Sequence, residues 1–350
     1  MGMSDYKITK EQVKETSKKV LSSIERDRER EIIVRRFGLD GTKETLEQVG
    51  DSMGITRERV RQIEKATLIR AKLSLDDGKN PDYDAVEREM VRALVDLGRA
   101  GKSDDLTVAM FGECDHDMRS ALVFFAELSG KMIVSTENDK FFQGIVLSTD
   151  EDDRNIKSAS EKIVKAMKAH GKPLTVDELF NLIPGYEHPN EVKGIASLSK
   201  KVAHLRGLWG LTNWPEVNPK NIRDKVMVIM SDHGKPMHFS EIADAIAKSS
   251  FKRNTVTRQA IHNELIKDSR FILVGRGLYG LEQWGYKKGT LTEIITKILK
   301  EEGAPLHREE IIRRVLKQRH IREATILLTL QNNKSFKRVS KAQYDLNIEA

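Results

Sequence analysis

The densest recognition chemistry in the chain lies between residues 56 and 65, where Thr56, Arg57, Glu58, Arg59, Arg61, Gln62 and Lys65 crowd together. At about 100° per residue, Arg57, Glu58, Arg61, Gln62 and Lys65 share one face of a helix, and Val60, Ile63 and Thr67 share another. The outward set suits base edges in a DNA major groove. Arg matches the acceptors of guanine, Gln matches adenine, and Glu accepts from the cytosine amino group. The first turns of such a helix enter the groove, so Arg57, Glu58 and Gln62 are the expected base contacts, with Thr56, Arg59, Arg61 and Lys65 on the backbone. Charge alone would fit an ordinary surface helix laced by ion pairs three and four residues apart, so the flanking residues must decide.

Those flanks read TLEQVGDSMGITRERVRQIEKATLIRAKL from Thr45 to Leu73. Thr45 with Gln48 forms a capping box that starts a short first helix. Gly54 suits a tight turn, and Thr56 can cap a longer helix from Arg57 onward. Gly50 falls where the two helices approach most closely. The spacing therefore predicts helix, turn, helix, with one face of the second helix packed and the other free to read.

The chain has 350 residues, of which 39% are hydrophobic, 6% aromatic and 32% charged, a length that predicts several domains. Its net charge of +7 is unevenly spread: +2 over residues 1–24, +2 over 25–73, −10 over 74–154 and +13 over 155–350. The acidic stretch repels phosphate and is expected to face a basic protein or a neighbouring domain, or simply solvent. Cys114 is the only cysteine, which excludes an intrachain disulfide and a cysteine-based zinc cluster. No run approaches the roughly 20 apolar residues of a membrane span, and the N-terminus lacks a signal-peptide core. A cytoplasmic protein is expected.

Read from Arg26, the segment RDREREIIVRRFGLDG and the helix-turn-helix after it resemble region 4 of bacterial housekeeping-type sigma factors, over about 50 residues. The resemblance implies that Glu29 to Leu39 helps dock on the RNA polymerase flap and that Ile55 to Glu64 reads the promoter −35 element. It places Arg57, Glu58 and Gln62 at base-reading positions, and Arg59 and Arg61 toward DNA backbone or an activator. Residues before 25 are too few for the clamp-binding and DNA-melting parts of a complete sigma factor, so a partial likeness is expected.

Three phrases beginning at Pro173, Pro236 and Pro305, 63 and 69 residues apart, each follow a helix expected to end at Gly171, Gly234 or Gly303. Thr175, His238 and His307, each with a Glu three residues on, should open the next helix. Gly207-Leu-Trp209-Gly210-Leu211 recurs 70 residues later as Gly277-Leu-Tyr279-Gly280-Leu281, in segments that read as hairpin wings. The repeat resembles the HARE-HTH family of winged helices, which includes the N-terminal domain of the RNA polymerase delta subunit. The expected fold is mainly α: a sigma region 4-like helix-turn-helix followed by tandem winged helix-turn-helix domains with small β-hairpin wings. The expected divisions are an N-terminal helical extension at 1–24, the helix-turn-helix at 25–73, an acidic winged-helix-like domain at 82–150, and winged helices at 155–216, 219–286 and 289–350. Seams are expected at 74–82, 148–155, 216–221 and 286–290. In the second winged helix, Lys252, Arg253 and Arg258 near the third helix and Arg276 in the wing are candidate DNA contacts. Trp209, Trp214, Tyr279 and Trp284 read as packing residues rather than base-stacking platforms.

Neither GxxxxGK[ST] nor HExxH occurs. Dinucleotide binding and serine-hydrolase chemistry are not expected, Cys114-Asp115-His116 reads as a loop, and His233 with His238 lacks a third ligand. No catalytic residue, metal or cofactor is expected. The expected function is that of a bacterial DNA-binding transcription factor that recognises double-stranded promoter DNA, the polymerase flap, or both. The alternatives are a polymerase-binding interaction protein with incidental DNA contact, and an accessory protein of DNA modification or restriction.

Overall fold

Reciprocal caps set the first helices. Thr9 accepts from the amide of Gln12 while the Gln12 side chain accepts from the amide of Thr9, opening α1 (Lys10–Ser22). After α2 (Asp27–Phe37), Gly38 takes φ +68 and ends the helix. Thr45 and Gln48 form the same box at the head of α3 (Leu46–Met53), and Gly54 at φ +66 turns the chain toward α4 (Arg57–Leu75). Thr56 Oγ1 accepts from the amide of Arg59, which caps α4. Ile32, Val49 and Val60 are fully buried between these helices, each stabilising the cluster by about 1.5–3 kcal/mol.

The computed structural model describes residues 7–75, 80–148, 153–251 and 255–347. It divides into two compact units, Met1–Val217 and Asn218–Ala350. The first unit continues with α5 (Pro81–Leu97), β1 (Ala100–Lys102), α6 (Ser103–Phe111), α7 (His116–Leu128), β2 (Met132–Ser135) and β3 (Gly144–Leu147), the strands lying antiparallel in the order β1-β3-β2. It ends with α8 (Asp153–His170), α9 (Val176–Leu182), α10 (Pro189–Leu198), β4 (Val202–Leu205) and β5 (Leu208–Leu211), where Leu174 bridges to Trp209 as a rudimentary third strand.

The second unit repeats that order twice. First come α11 (Ile222–His233), β6 (Met237–His238), α12 (Phe239–Ala247), α13 (Arg258–Lys267), β7 (Phe271–Gly275) and β8 (Leu278–Leu281). Then follow α14 (Leu291–Glu302), β9 (Leu306–His307), α15 (Arg308–Leu316), α16 (Glu323–Asn332), β10 (Phe336–Ser340) and β11 (Gln343–Leu346). Both sheets place the last strand between the other two. The architecture is mainly α, with helix-turn-helix elements and small antiparallel hairpins, as the periodicity predicts. The strand β1 and the helix α6 were not anticipated.

Packing in the first unit ties segments that the sequence presents as separate. Val13 and Val20 of α1, Ile33 and Phe37 of α2, and Ala71 and Leu75 of α4 share one core with α5 and α7. The rings of Phe37 and Phe124 meet edge-on at 5.3 Å, Phe124 lies 5.9 Å from Phe125, and Phe125 lies 5.8 Å from Tyr83. Residues expected as an N-terminal extension are thus part of this core. Opposite charge reinforces it: Lys10 binds Glu113 and Asp115, Lys14 lies 3.7 Å from Asp117, and Lys19 lies 2.5 Å from Asp82. Part of the acidic stretch therefore meets the chain's own basic helix.

A second seam of close packing joins α10 to β1 and α5. A Cβ on Gly194 would stand 2.4 Å from the Ala100 carbonyl oxygen, and one on Gly98 would stand 1.8 Å from that of Asn190. The amide of Phe142 donates to the Leu198 carbonyl at 2.9 Å.

Two expectations change in the second unit. Glu310 does not complete a box with His307, because Arg313 and Arg314 bind its carboxylate and hold its pKa down to about 2. The expected seam at 286–290 is tied down by buried Arg319, which donates to the carbonyls of Lys287 and Gly289. Half of the expected seam at 148–155, and the centre of that at 74–82, lie outside the described residues.

Candidate nucleic-acid interface

Gly50 lets α3 and α4 meet. A Cβ there would sit 2.7 Å from the Ile55 carbonyl oxygen, inside any tolerated contact. With that approach and the Thr56 cap, α4 presents Arg57, Glu58, Arg59, Arg61, Gln62 and Lys65 on its exposed side. Arg61 grips Glu58 through two hydrogen bonds of 2.8 and 2.6 Å, which hold the carboxyl below its ordinary range. Gln62 donates to Glu58 at 3.4 Å and accepts from Arg59 at 3.3 Å. Among the described residues, Arg57 and Lys65 make no ion pair. The acids behind them are spent inward: Glu64 accepts from Arg36 at 2.9 Å, and Glu29 of α2 binds Arg70. The outer face consequently keeps a positive excess beside a polar network that can exchange partners. Thr56 caps the helix, the other candidates assigned to it lie on α4, and all are exposed.

The helices that follow the same element order differ in availability. The third helix of the acidic segment, α7, is buried against α1, α2 and α4, and its counterpart α10 is pressed onto β1. In the second unit, α13 and α16 keep an exposed face. Arg258 opens α13 and pairs with Asp244 at 3.1 Å, while Arg276 is exposed in the β7–β8 turn, where Gly277 takes φ +68. Lys252 and Arg253 lie outside the described residues. Trp209 and Tyr279 are buried, and Trp214 and Trp284 are half-buried. Trp209 stacks on His204 at 4.7 Å.

Two glycine spacings associated with enzymes do occur, and their surroundings explain why neither carries that chemistry. Gly50-Asp-Ser52-Met-Gly54 spells GxSxG inside α3, where Ser52 donates to the Val49 carbonyl and accepts from Arg35 rather than projecting from a strand-to-helix elbow. Gly275-Arg-Gly277-Leu-Tyr-Gly280 spells GxGxxG across a hairpin, followed only by a single 3-10 turn at Glu282–Trp284 that opens on a carboxylate rather than by an α-helix N-terminus to receive a phosphate. Cys114 is exposed, and its thiol is pushed up by desolvation and by Asp104. Neighbouring Asp115 caps α7, accepting from the amides of Asp117 and Met118. Among the described residues, no group of three His, Cys, Asp or Glu side chains could hold a metal, and no helix is long and apolar enough to cross a membrane.

Comparison with known proteins agrees with this geometry. Residues 26–70 match the family described as sigma-70, region 4, and residues 224–284 match the HARE-HTH family, whose description names an HTH domain of ASXL and restriction endonuclease proteins. Over 86 residues the chain is 36% identical to the RNA polymerase sigma factor SigA of Nostoc sp., covering 24% of this chain and 20% of that protein. Over 66 residues it is 42% identical to the RNA polymerase sigma factor sigB of Arabidopsis thaliana, covering 19% of this chain and 11% of that protein. No solved structure matches. The chain thus carries DNA-binding domain types related to transcription, and it spans about a fifth or less of these relatives.

Proposed function

We propose that this protein is a sigma-like transcription factor of a bacterial-type apparatus that recognises promoter DNA through the outer face of α4. The observation that carries the proposal is the exposed, positively biased row from Arg57 to Lys65 on a helix whose opposite side is locked into a helix-turn-helix core. Arg57 meets guanine, Gln62 meets adenine, and Arg61 exchanges the Glu58 carboxylate for a phosphate, which releases Glu58 toward a cytosine amino group. The protein acts by binding, in the cytoplasm, with no catalytic step and no cofactor.

Docking on RNA polymerase is the second reading. Ile33 and Phe37, in the segment whose resemblance implies flap docking, already pack against this chain's own core. Ile69 and Leu73, 50% and 64% exposed one turn apart on α4, offer an apolar contact instead.

The test is a gel shift of the full chain, alone and with core polymerase, on duplexes with and without a −35-like element. Preference for the element by the chain alone supports direct reading. Preference only in the ternary complex supports the sigma-like mode through polymerase. Equal binding to both duplexes in both settings refutes the proposal.

A further inference from the structure

We infer that α13 carries a second base-reading surface, suited to A·T pairs of duplex DNA and independent of α4. Of the third helices in the winged arrangement, α7 and α10 are consumed by packing within the first unit, whereas α13 is not. It buries Ile261 and Leu265. At about 100° per residue, Gln259, Asn263, Ile266 and Lys267 lie on the opposite side, and all four are exposed.

The chemistry of that row is specific. Gln259 Nε2 donates to Asn263 Oδ1 at 2.9 Å, so two carboxamides stand side by side one turn apart. Each can donate to N7 and accept from N6 of adenine, the bidentate pairing amides make in the major groove. Ile266 follows one turn further along, 65% exposed, where an apolar side chain can meet the thymine methyl group. Nearby acids are turned away: Glu264 lies 2.8 Å from Arg223, and Asp268, just past the helix, is buried and held by Arg270. The row itself carries no acid. Lys267 at its end and Arg276 in the wing supply cations for the backbone, and Arg258 at its start joins them by exchanging Asp244 for a phosphate.

The contrast with α4 is chemical. The α4 face is dominated by guanidinium groups and a carboxylate, which select G·C pairs, with Gln62 alone suited to adenine. The α13 face presents amides and a methyl-bearing side chain, which select A·T pairs. The α16 helix, EATILLTLQN, has no cation and only one carboxamide pair at its end, so it lacks the same combination.

The experiment is selection from a randomised duplex library using the full chain, Gln259→Ala/Asn263→Ala, and Arg57→Ala/Gln62→Ala. The parent should enrich an A·T block in addition to the α4-dependent block. The α13 variant should lose the A·T block, with binding to a duplex carrying it falling about five- to a hundredfold per contact removed, while the α4 block persists. The α4 variant should do the reverse, so failure of one assignment is distinguishable from failure of the other. Ile266→Ser should lower the preference for thymine alone, and Lys267→Ala should weaken all sequences equally. A parent that enriches no A·T block overturns the inference. So does an A·T block retained undiminished by the α13 variant, which would assign the amide row to a protein contact. Thermal unfolding of each variant at the parent's midpoint establishes that the fold is kept.

Discussion

At the scale of single residues, the exposed side of α4 separates two kinds of contact that experiment can tell apart. Among the described residues Gln62 hydrogen-bonds with exposed neighbours, Glu58 and Arg59, so Gln62→Ala should leave stability within about 0.5 kcal/mol. It should nevertheless relax sequence choice by about 1–3 kcal/mol at one base pair, measured by competition between matched and substituted duplexes. Undiminished selectivity would remove Gln62 from the base-reading set. Lys65 makes no ion pair among the described residues and is assigned to phosphate. Lys65→Ala should weaken every sequence alike and lower the slope of log affinity against log salt by about 0.9. A loss confined to one sequence would instead make Lys65 a base contact.

At the scale of elements, turns and close approaches decide whether the reading helix is presented at all. The Cβ of Gly50→Ala would meet backbone rather than a yielding side chain, 2.7 Å from the Ile55 carbonyl oxygen. The substitution should destabilise the helix-turn-helix by about 1–3 kcal/mol, seen as a lower unfolding midpoint together with loss of DNA binding. The opposite sign is expected in the last hairpin. Ala342 is held at φ +66 where the corresponding turn between β7 and β8 uses Gly277 at φ +68. Ala342→Gly should stabilise the β10–β11 turn by about 1 kcal/mol, the left-handed strain outweighing the added freedom of the unfolded chain. An unchanged or lower unfolding midpoint would show that the turn bears no such strain.

At the scale of the whole molecule, the helix-turn-helix is not a detachable module. A fragment of residues 1–80 would bring Val13, Val20, Ile33, Phe37, Ala71 and Leu75 into water, having lost Phe124, Phe125 and the rest of α5 and α7. Such a fragment should lack a cooperative thermal transition and fixed near-ultraviolet dichroism, whereas residues 1–217 should retain both. A sharp transition for 1–80 would show that the shared core is dispensable. The physical consequence of that core is rigidity. The acidic segment holds the reading helix through apolar packing and through the Lys10, Lys14 and Lys19 pairs, so its negative charge serves the fold before any partner.

Much of α4 was legible in the sequence because its determinants are local. A Thr–Gln capping box, two glycines and a 3.6-residue pattern fix helix, turn and exposed face within about thirty residues. The hairpins were legible for the same reason, through alternating apolar residues around Gly207 and Gly277. The Gln259–Asn263 pair was also present at helical spacing, but as neutral amides it carried no charge signal to separate it from ordinary surface. Tertiary structure alone decided which helices remain available. The unbroken apolar run from Ala121 to Ala126 marks α7 as covered but not by what, and nothing near Gly194 says that α10 is covered, because the covering residues lie far along the chain and burial there is set by shape and apolar area rather than by local pattern. Gly98 and Gly194, which look like ordinary helix and turn glycines, prove to be the places where two backbones touch.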